Sequence, residues 1–164
     1  MKRYVRAFVS CALLVLVDQL SKLWAVQTLK DGNPIPVIRG VLEFLYVENR
    51  GAAFGIMQGR QWLFLIISLA VVLGLVYLLP RIPGERRYLW LRLCLYLVAA
   101  GAVGNMIDRL FRGYVVDFFY FKLIDFPVFN VADIYVTGSA FCLMLLVLFY
   151  YKEEDFDRVF PRKK

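Results

Sequence analysis

There is no histidine in the 164 residues, and cysteine is scarce: Cys11, Cys94 and Cys142 each lie alone inside a different apolar run. These absences exclude Cys/His zinc spacing and a Cys–His nucleophile pair. No disulfide framework is visible, and the three thiols read as small buried hydrophobes. Carboxylate-only cation binding would need an oxygen-rich loop, and no recognisable one occurs, so no metal site is expected. Acidic residues are outnumbered, 13 Asp and Glu against 20 Lys and Arg, for a net charge of +7. A basic chain raises nucleic acid as a partner. Here, however, Lys and Arg sit in short clusters between apolar runs, and no nucleic-acid partner is expected.

What abounds is hydrocarbon. Hydrophobic residues make up 61% of the chain, and the mean hydropathy of +0.63 lies far above the soluble balance. The expectation is one integral membrane domain over 1–164, all-α and polytopic. Four transmembrane helices are expected at about 4–24, 62–79, 89–110 and 134–151. The second is an uncharged run stopped by Pro80, with Pro83-Gly84 continuing the break. The N-terminus has the look of a signal peptide, since Lys2, Arg3 and Arg6 precede an apolar core. No small-residue cleavage site follows, and Asp18 and Lys22 continue the helix instead. Phe8-Val9-Ser10-Cys11 faintly resembles a lipoprotein cleavage box, but too little apolar sequence precedes it. The first span is therefore retained.

Four spans put both termini on the side of the 80–88 loop. That side carries the larger share of basic residues, including Lys2, Arg3, Arg6, Arg81, Arg86, Arg87 and the Arg162-Lys163-Lys164 tail. The positive-inside bias then puts the termini in the cytoplasm and the loops 25–61 and 111–133 outside. The tail is expected to rest on anionic headgroups. The outward loops are too apolar to be linkers. Gly40–Asn49 and Val115–Leu123 are β-branched and aromatic, and both suit short strands. A small sheet-like extramembrane subdomain on the periplasmic side is expected, with its aromatic residues at the interface. Gly51, Gly55 and Gly59 motivate a mobile lid over 50–60.

Charged residues beside hydrocarbon are costly and by default mark a functional site. Asp18 and Lys22, spaced i, i+4, share a helix face and neutralise each other. Ser21 beside Lys22 raises a Ser–Lys dyad, but adjacent helical residues point about 100° apart, which places Lys22 poorly as its base. Asn105 and Asp108 share a face, with Arg109 close to it, and Gly101 and Gly104 permit close helix packing. An interhelical hydrogen-bond network accounts for Asp108. The fixed donor fork of Arg109 suits a substrate carbonyl or a lipid oxygen. Asp117 lies in an apolar strand, and Asp133 caps or opens the fourth span. Two carboxylates brought within a few ångströms would share a proton. One would then activate water while the other polarises the carbonyl and protonates the leaving nitrogen. Spacing alone does not show that they meet.

These residues, taken in order, resemble the bacterial lipoprotein signal peptidases (type II signal peptidases). The resemblance covers nearly the whole chain. It rests on Asp18 and Lys22, on Glu48-Asn49-Arg50-Gly51-Ala52-Ala53-Phe54-Gly55, and on Gly104-Asn105-Met106-Ile107-Asp108-Arg109. Val116-Asp117-Phe118 and Phe129-Asn130-Val131-Ala132-Asp133 complete it, and no motif position departs from the pattern. The resemblance implies an intramembrane aspartyl endopeptidase without metal or organic cofactor. Its substrate would be a prolipoprotein carrying diacylglycerol on the cysteine after the signal peptide, cut on the N-terminal side of that cysteine. Asp117 and Asp133 match the catalytic pair. Asn49, Gly51, Asn105, Arg109, Asn130 and Ala132 match positions lining the site. Asp18, Lys22 and Asp108 form a structural polar network. The implied setting is the bacterial inner membrane, multi-pass and monomeric, with the site near the periplasmic face. Membrane lipids would be partners and globomycin-type peptide antibiotics inhibitors. Two other readings are weighed against this one. A small proton-coupled transporter should show repeated halves and midplane charges, and neither is seen. A non-enzymatic assembly subunit would tolerate Asp→Asn at both positions.

Overall fold

The computed structural model describes residues 2–51 and 60–160. Residues 52–59, with most of the expected lid, and the Arg162–Lys164 tail lie outside the described residues. Among the described residues, four helices are long and apolar enough to cross a membrane. Helix α1 spans Lys2–Leu29, α2 Gln61–Leu78, α3 Leu89–Phe111 and α4 Val131–Leu145, which a wide π-type turn extends to Tyr150. Their outer faces are inside-out by soluble standards, with Phe8, Trp62, Val76 and Phe149 all exposed, as surfaces meant for lipid should be.

Helix α3 packs against the other three. Small residues make that possible. A Cβ on Gly101 would stand 2.6 Å from the Ala132 carbonyl oxygen on α4, and one on Gly104 would press into the Asp18 carboxylate on α1. Close backbone approach of this kind drives helix association where lipid tails are as apolar as the side chains.

Helix α1 continues beyond the expected residue 24 because its last turns have a partner. Ala25 and Leu29 are buried against Val116 and Phe118 of a sheet. That sheet has the order β1 (Ile35–Ile38), β2 (Leu42–Asn49), β3 (Val115–Tyr120), antiparallel throughout. The β1–β2 turn uses Gly40 at φ +75°, a left-handed conformation that favours glycine. Strands β2 and β3 fall where the β-branched and aromatic runs predict them. Strand β1 lies outside the two runs expected to form strands, and it contains Pro36, a residue disfavoured inside a sheet. It is tolerated since β1 is an edge, where the register also shifts between Pro36 and Ile38.

At the other end of the bundle the polar tail folds back as a short helix, α5 (Glu153–Val159). Val159 joins Ile82, Tyr88, Leu75 and Leu95 in a core cluster. Asp155 receives both arms of the Arg87 guanidinium at 2.6 Å, the Tyr88 hydroxyl at 3.1 Å and the Lys152 amide at 2.9 Å. The Arg87 fork holds its carboxyl well below the usual carboxylate range.

Candidate active site

Alternation along β3 sorts its side chains between two jobs. Val116 and Phe118 pack on α1, while Val115 and Asp117 face a cavity of about 700 Å³ on the opposite side of the strand. In the β2–β3 register Asn49 lies opposite Val115 and Val47 opposite Asp117. Asn49 and Asp117 are therefore diagonal neighbours on one face, and Asn49 Nδ2 donates to Asp117 Oδ2 at 2.8 Å. A one-residue slip would turn Asp117 toward α1 and Phe118 into the cavity.

The chain then makes a closed loop that brings the second carboxylate back. Phe119 and Phe129 bridge, with Phe129 N–H donating to the Phe119 carbonyl at 3.0 Å. The Phe119, Phe121 and Phe126 rings pack around Phe129 with centroids 5.5–5.9 Å away. Asn130 follows directly. It is the N-cap of α4, and a capping box closes there: Asp133 N–H donates to Asn130 Oδ1 at 3.0 Å, and Asn130 N–H to Asp133 Oδ2 at 3.2 Å. Of the two roles expected for Asp133, capping or opening the fourth span, the cap belongs to Asn130 and Asp133 stands in the opening turn. The helix starts at Val131, and Asp133 sits in its first turn, held from its own backbone. The positive end of the helix also favours a carboxylate there.

Asp117 and Asp133 both line the cavity, as do Asn49, Gly51, Asn105 and Arg109. Asn130 Nδ2 donates to Asp117 Oδ1 at 2.6 Å, and Asn105 Nδ2 to Asp133 Oδ1 at 2.8 Å. Each carboxylate thus receives two N–H donors. Asn49 Oδ1 also accepts from the Gly51 amide at 2.9 Å, which ties the β2 exit to the site. Asp117 is only 1% exposed. Burial, and then the neighbouring Asp133 charge, push its carboxyl up to about 7. Arg109 bonds the Asn105 carbonyl at a long 3.4 Å, and its guanidinium lies 5.1 Å from the centre of the Phe64 ring on α2.

Two predicted residues lie behind the cavity rather than on it. Asn130 is fully buried and reaches the site through Asp117 and the helix cap. Ala132 is also fully buried, with its amide donating to Asp18 Oδ1 at 2.9 Å. Asp18 and Asp108 each lie 3.0 Å from Lys22 Nζ, all three at 0% exposure. Asp108 also accepts from the Val116 amide at 3.2 Å. The cluster therefore joins α1, α3, β3 and the start of α4. Ser21 instead bonds the Asp18 carbonyl at 2.7 Å.

The cavity's apolar wall was not read from the sequence. Phe64 and Thr137 carry no motif, although Thr137 falls one turn after Asp133 and that spacing is a usable signal. Ile124 and Phe126 belong to an aromatic stretch whose direction only the Phe119–Phe129 bridge fixes. Among the described residues, no cluster of three or more His, Cys, Asp or Glu is placed to hold a metal ion.

The fold and this pair of amide-held carboxylates, Asp117 buried and Asp133 half-buried, define a class first: a polytopic membrane protein built around a cleft that holds two carboxylates. Two solved structures share the architecture, each described as a bacterial membrane enzyme obtained by the in meso method. One, at 2.3 Å, has a TM-score of 0.78 and 31% identity, covering 97% of this chain and 93% of its own. The other, at 1.9 Å, has a TM-score of 0.76 and 32% identity, covering 89% and 94%. A family model described as signal peptidase (SPase) II matches residues 10–149. A lipoprotein signal peptidase of Clostridioides difficile (strain 630) is 46% identical over 139 residues, 84% of this chain and 91% of the relative. One of Streptococcus pyogenes serotype M5 (strain Manfredo) is 42% identical over 152 residues, 92% and 97%. The chain belongs to the signal peptidase II family.

Proposed function

We propose that this protein removes signal peptides from bacterial prolipoproteins as an intramembrane aspartyl endopeptidase. The substrate would carry diacylglycerol on the cysteine after the cut, and the bond hydrolysed is the one on that cysteine's N-terminal side. Family membership carries the peptidase activity and the prolipoprotein substrate. The observation that carries the aspartyl mechanism is the pair Asp117 and Asp133 on one cavity, each held by two N–H donors. The relatives' common activity gives no support to the proton-coupled transporter.

In the proposed reaction Asp133 is the ionised partner and Asp117 keeps the proton, in line with its raised pKa. Asp133 takes a proton from water as the water oxygen attacks the scissile carbonyl carbon, and Asp117 gives its proton to the carbonyl oxygen. Collapse of the gem-diol breaks the C–N bond. The proton held by Asp133 goes to the leaving nitrogen, and a gem-diol proton returns to Asp117. The carboxamides of Asn49, Asn105 and Asn130 hold the pair, and the Arg109 fork binds a backbone or ester oxygen of the substrate. Phe121, Ile124, Phe126 and Phe129 supply an apolar wall for the lipid-modified end. The substrate is a helix plus two acyl chains, so it enters sideways from lipid.

The positive-inside bias supports cytoplasmic termini and a site near the periplasmic face of the inner membrane. A single chain supplies the whole constellation, which supports a monomer, and peptides of the globomycin type would inhibit by occupying the same cleft. Mass spectrometry of products from one prolipoprotein, with and without its diacylglycerol, tests the reading. Cleavage beside the modified cysteine is expected for the lipidated form only. Equal cleavage of the unlipidated form would refute the substrate assignment.

A further inference from the structure

Hydrogen-bond polarity behind the site is set by two groups that can only donate. The first is the Lys22 ammonium, which has three N–H bonds and no acceptor. It meets three oxygens: Asp18 Oδ2 and Asp108 Oδ2 at 3.0 Å, and Asn105 Oδ1 at 2.8 Å. The amide atom of Asn105 facing it must be oxygen, which turns the NH₂ group onto Asp133 Oδ1 at 2.8 Å. The second is the Asp133 backbone N–H, which takes Asn130 Oδ1 and so aims Asn130 Nδ2 at Asp117 Oδ1 and at Asn105 Oδ1, 3.2 Å away. A reversed Asn105 would set NH₂ against the ammonium and oxygen against a carboxylate, two repulsive contacts at hydrogen-bond distance.

We infer that Lys22 is a positioning residue for catalysis: through Asn105 it fixes the orientation and the donor count of Asp133. This rests on the peptidase reading above. A purely structural Lys22 would need only Asp18 and Asp108. The third N–H instead feeds an amide that ends on the reacting carboxylate. Helix α1 thereby acts on a centre built by β3 and α4. Asp117 from β3 and Arg109 from α3 act on the Asp133 charge directly, while Lys22 reaches it only through Asn105. Helix α2 presents Phe64 to the cavity and β2 presents Asn49. Outer-shell partners of metal-ligating side chains are typically worth about 10–100-fold in affinity or activity, and the same order is expected for this amide-held carboxylate.

The test uses the full chain in lipid with a diacylglyceryl prolipoprotein. Lys22→Met alone would leave two buried carboxylates short of a cation, so it is paired with Asp18→Asn. Asp18→Asn alone serves as control, since Lys22 keeps Asp108 and Asn105. In the double variant kcat is expected to fall about 10–100-fold with KM within about twofold. The control should keep a kcat well above that of the double variant, because Lys22 still holds Asn105. Asn105→Ala leaves the ion cluster intact and carries the same fall in kcat at unchanged KM, so it tests the path through Asn105 if the double variant does not fold. A kcat equal to the control's in the folded double variant, or in Asn105→Ala, overturns the inference alone. A parent that does not cleave overturns the peptidase reading and this inference with it.

Discussion

Gly101→Ala probes the seam between α3 and the first turn of α4. The added Cβ would lie 2.6 Å from the Ala132 carbonyl oxygen and 2.7 Å from Val136 Cγ2. To reach ordinary contact near 3.4 Å, the α4 backbone must retreat by about 0.8 Å. Overpacking of this kind costs about 1–3 kcal/mol. The better helix propensity of alanine returns up to about 1 kcal/mol, leaving roughly 1–2 kcal/mol of net destabilisation. The larger effect falls on chemistry. Asp133 follows Ala132 directly, and a misplacement of about 1 Å costs on the order of 100-fold in rate. Thermal unfolding in detergent and turnover on a lipidated prolipoprotein should be measured beside Gly74→Ala on α2, whose Cβ meets nothing within 4 Å. The expected result is a slower, less stable Gly101→Ala and a Gly74→Ala equal to the parent or more stable. Parental turnover and unfolding temperature in Gly101→Ala would refute the close-packing argument.

Other expectations follow from charge. Asp117 must be protonated to donate, and its carboxyl sits at about 7. Turnover should fall as pH rises through that value, by roughly tenfold per unit above about pH 8; a rate level to pH 9 would contradict this. The sign for stability is the same. A carboxyl raised in the fold contributes fully below the ordinary value of 3.8 and loses that contribution as pH rises through about 7, so the unfolding temperature should decline between those values. At the opposite end of the bundle, Asp155→Ala removes the Arg87 clamp and should cost about 1–2 kcal/mol while turnover stays parental, as read by unfolding and cleavage together. The Asp155 carboxyl is depressed, so its stabilisation is present above the ordinary 3.8 and lost as pH falls below it. An Asp155→Ala chain that unfolds like the parent would show the clamp to be unimportant.

Much of this was legible in the sequence because membrane depth makes charge conspicuous. Asp18, Lys22, Asp108 and Asp117 stand out against hydrocarbon, and each proves to be buried and paired or hydrogen-bonded. The i, i+4 spacing of Asp18 and Lys22 on one helix was enough to predict their bond. The third member, Asp108, was assigned to an interhelical network, but only packing of α3 on α1 at Gly104 brings it to Lys22. Helix ends were less legible, since they depend on partners. Residues 25–29 stay helical by burying Ala25 and Leu29 under β3, and α4 starts early because Asn130 caps it. The segment after Lys152 shows in the sequence only as a polar tail that ends the fourth span. Its fold depends on one aspartate meeting Arg87, a residue 68 positions away, and no local pattern encodes that. The cavity wall from Phe121 to Phe129 was visible as aromatic composition and invisible as shape, since the loop's direction is set by a single bridge pair.

The most direct test of the central claim is cleavage of a diacylglyceryl prolipoprotein by the reconstituted parent, Asp117→Asn and Asp133→Asn, all three first shown to fold. The account predicts an active parent and loss of turnover with either change, because an amide can neither accept the water proton nor complete the proton transfers to substrate. Near-parental turnover in either variant would contradict it.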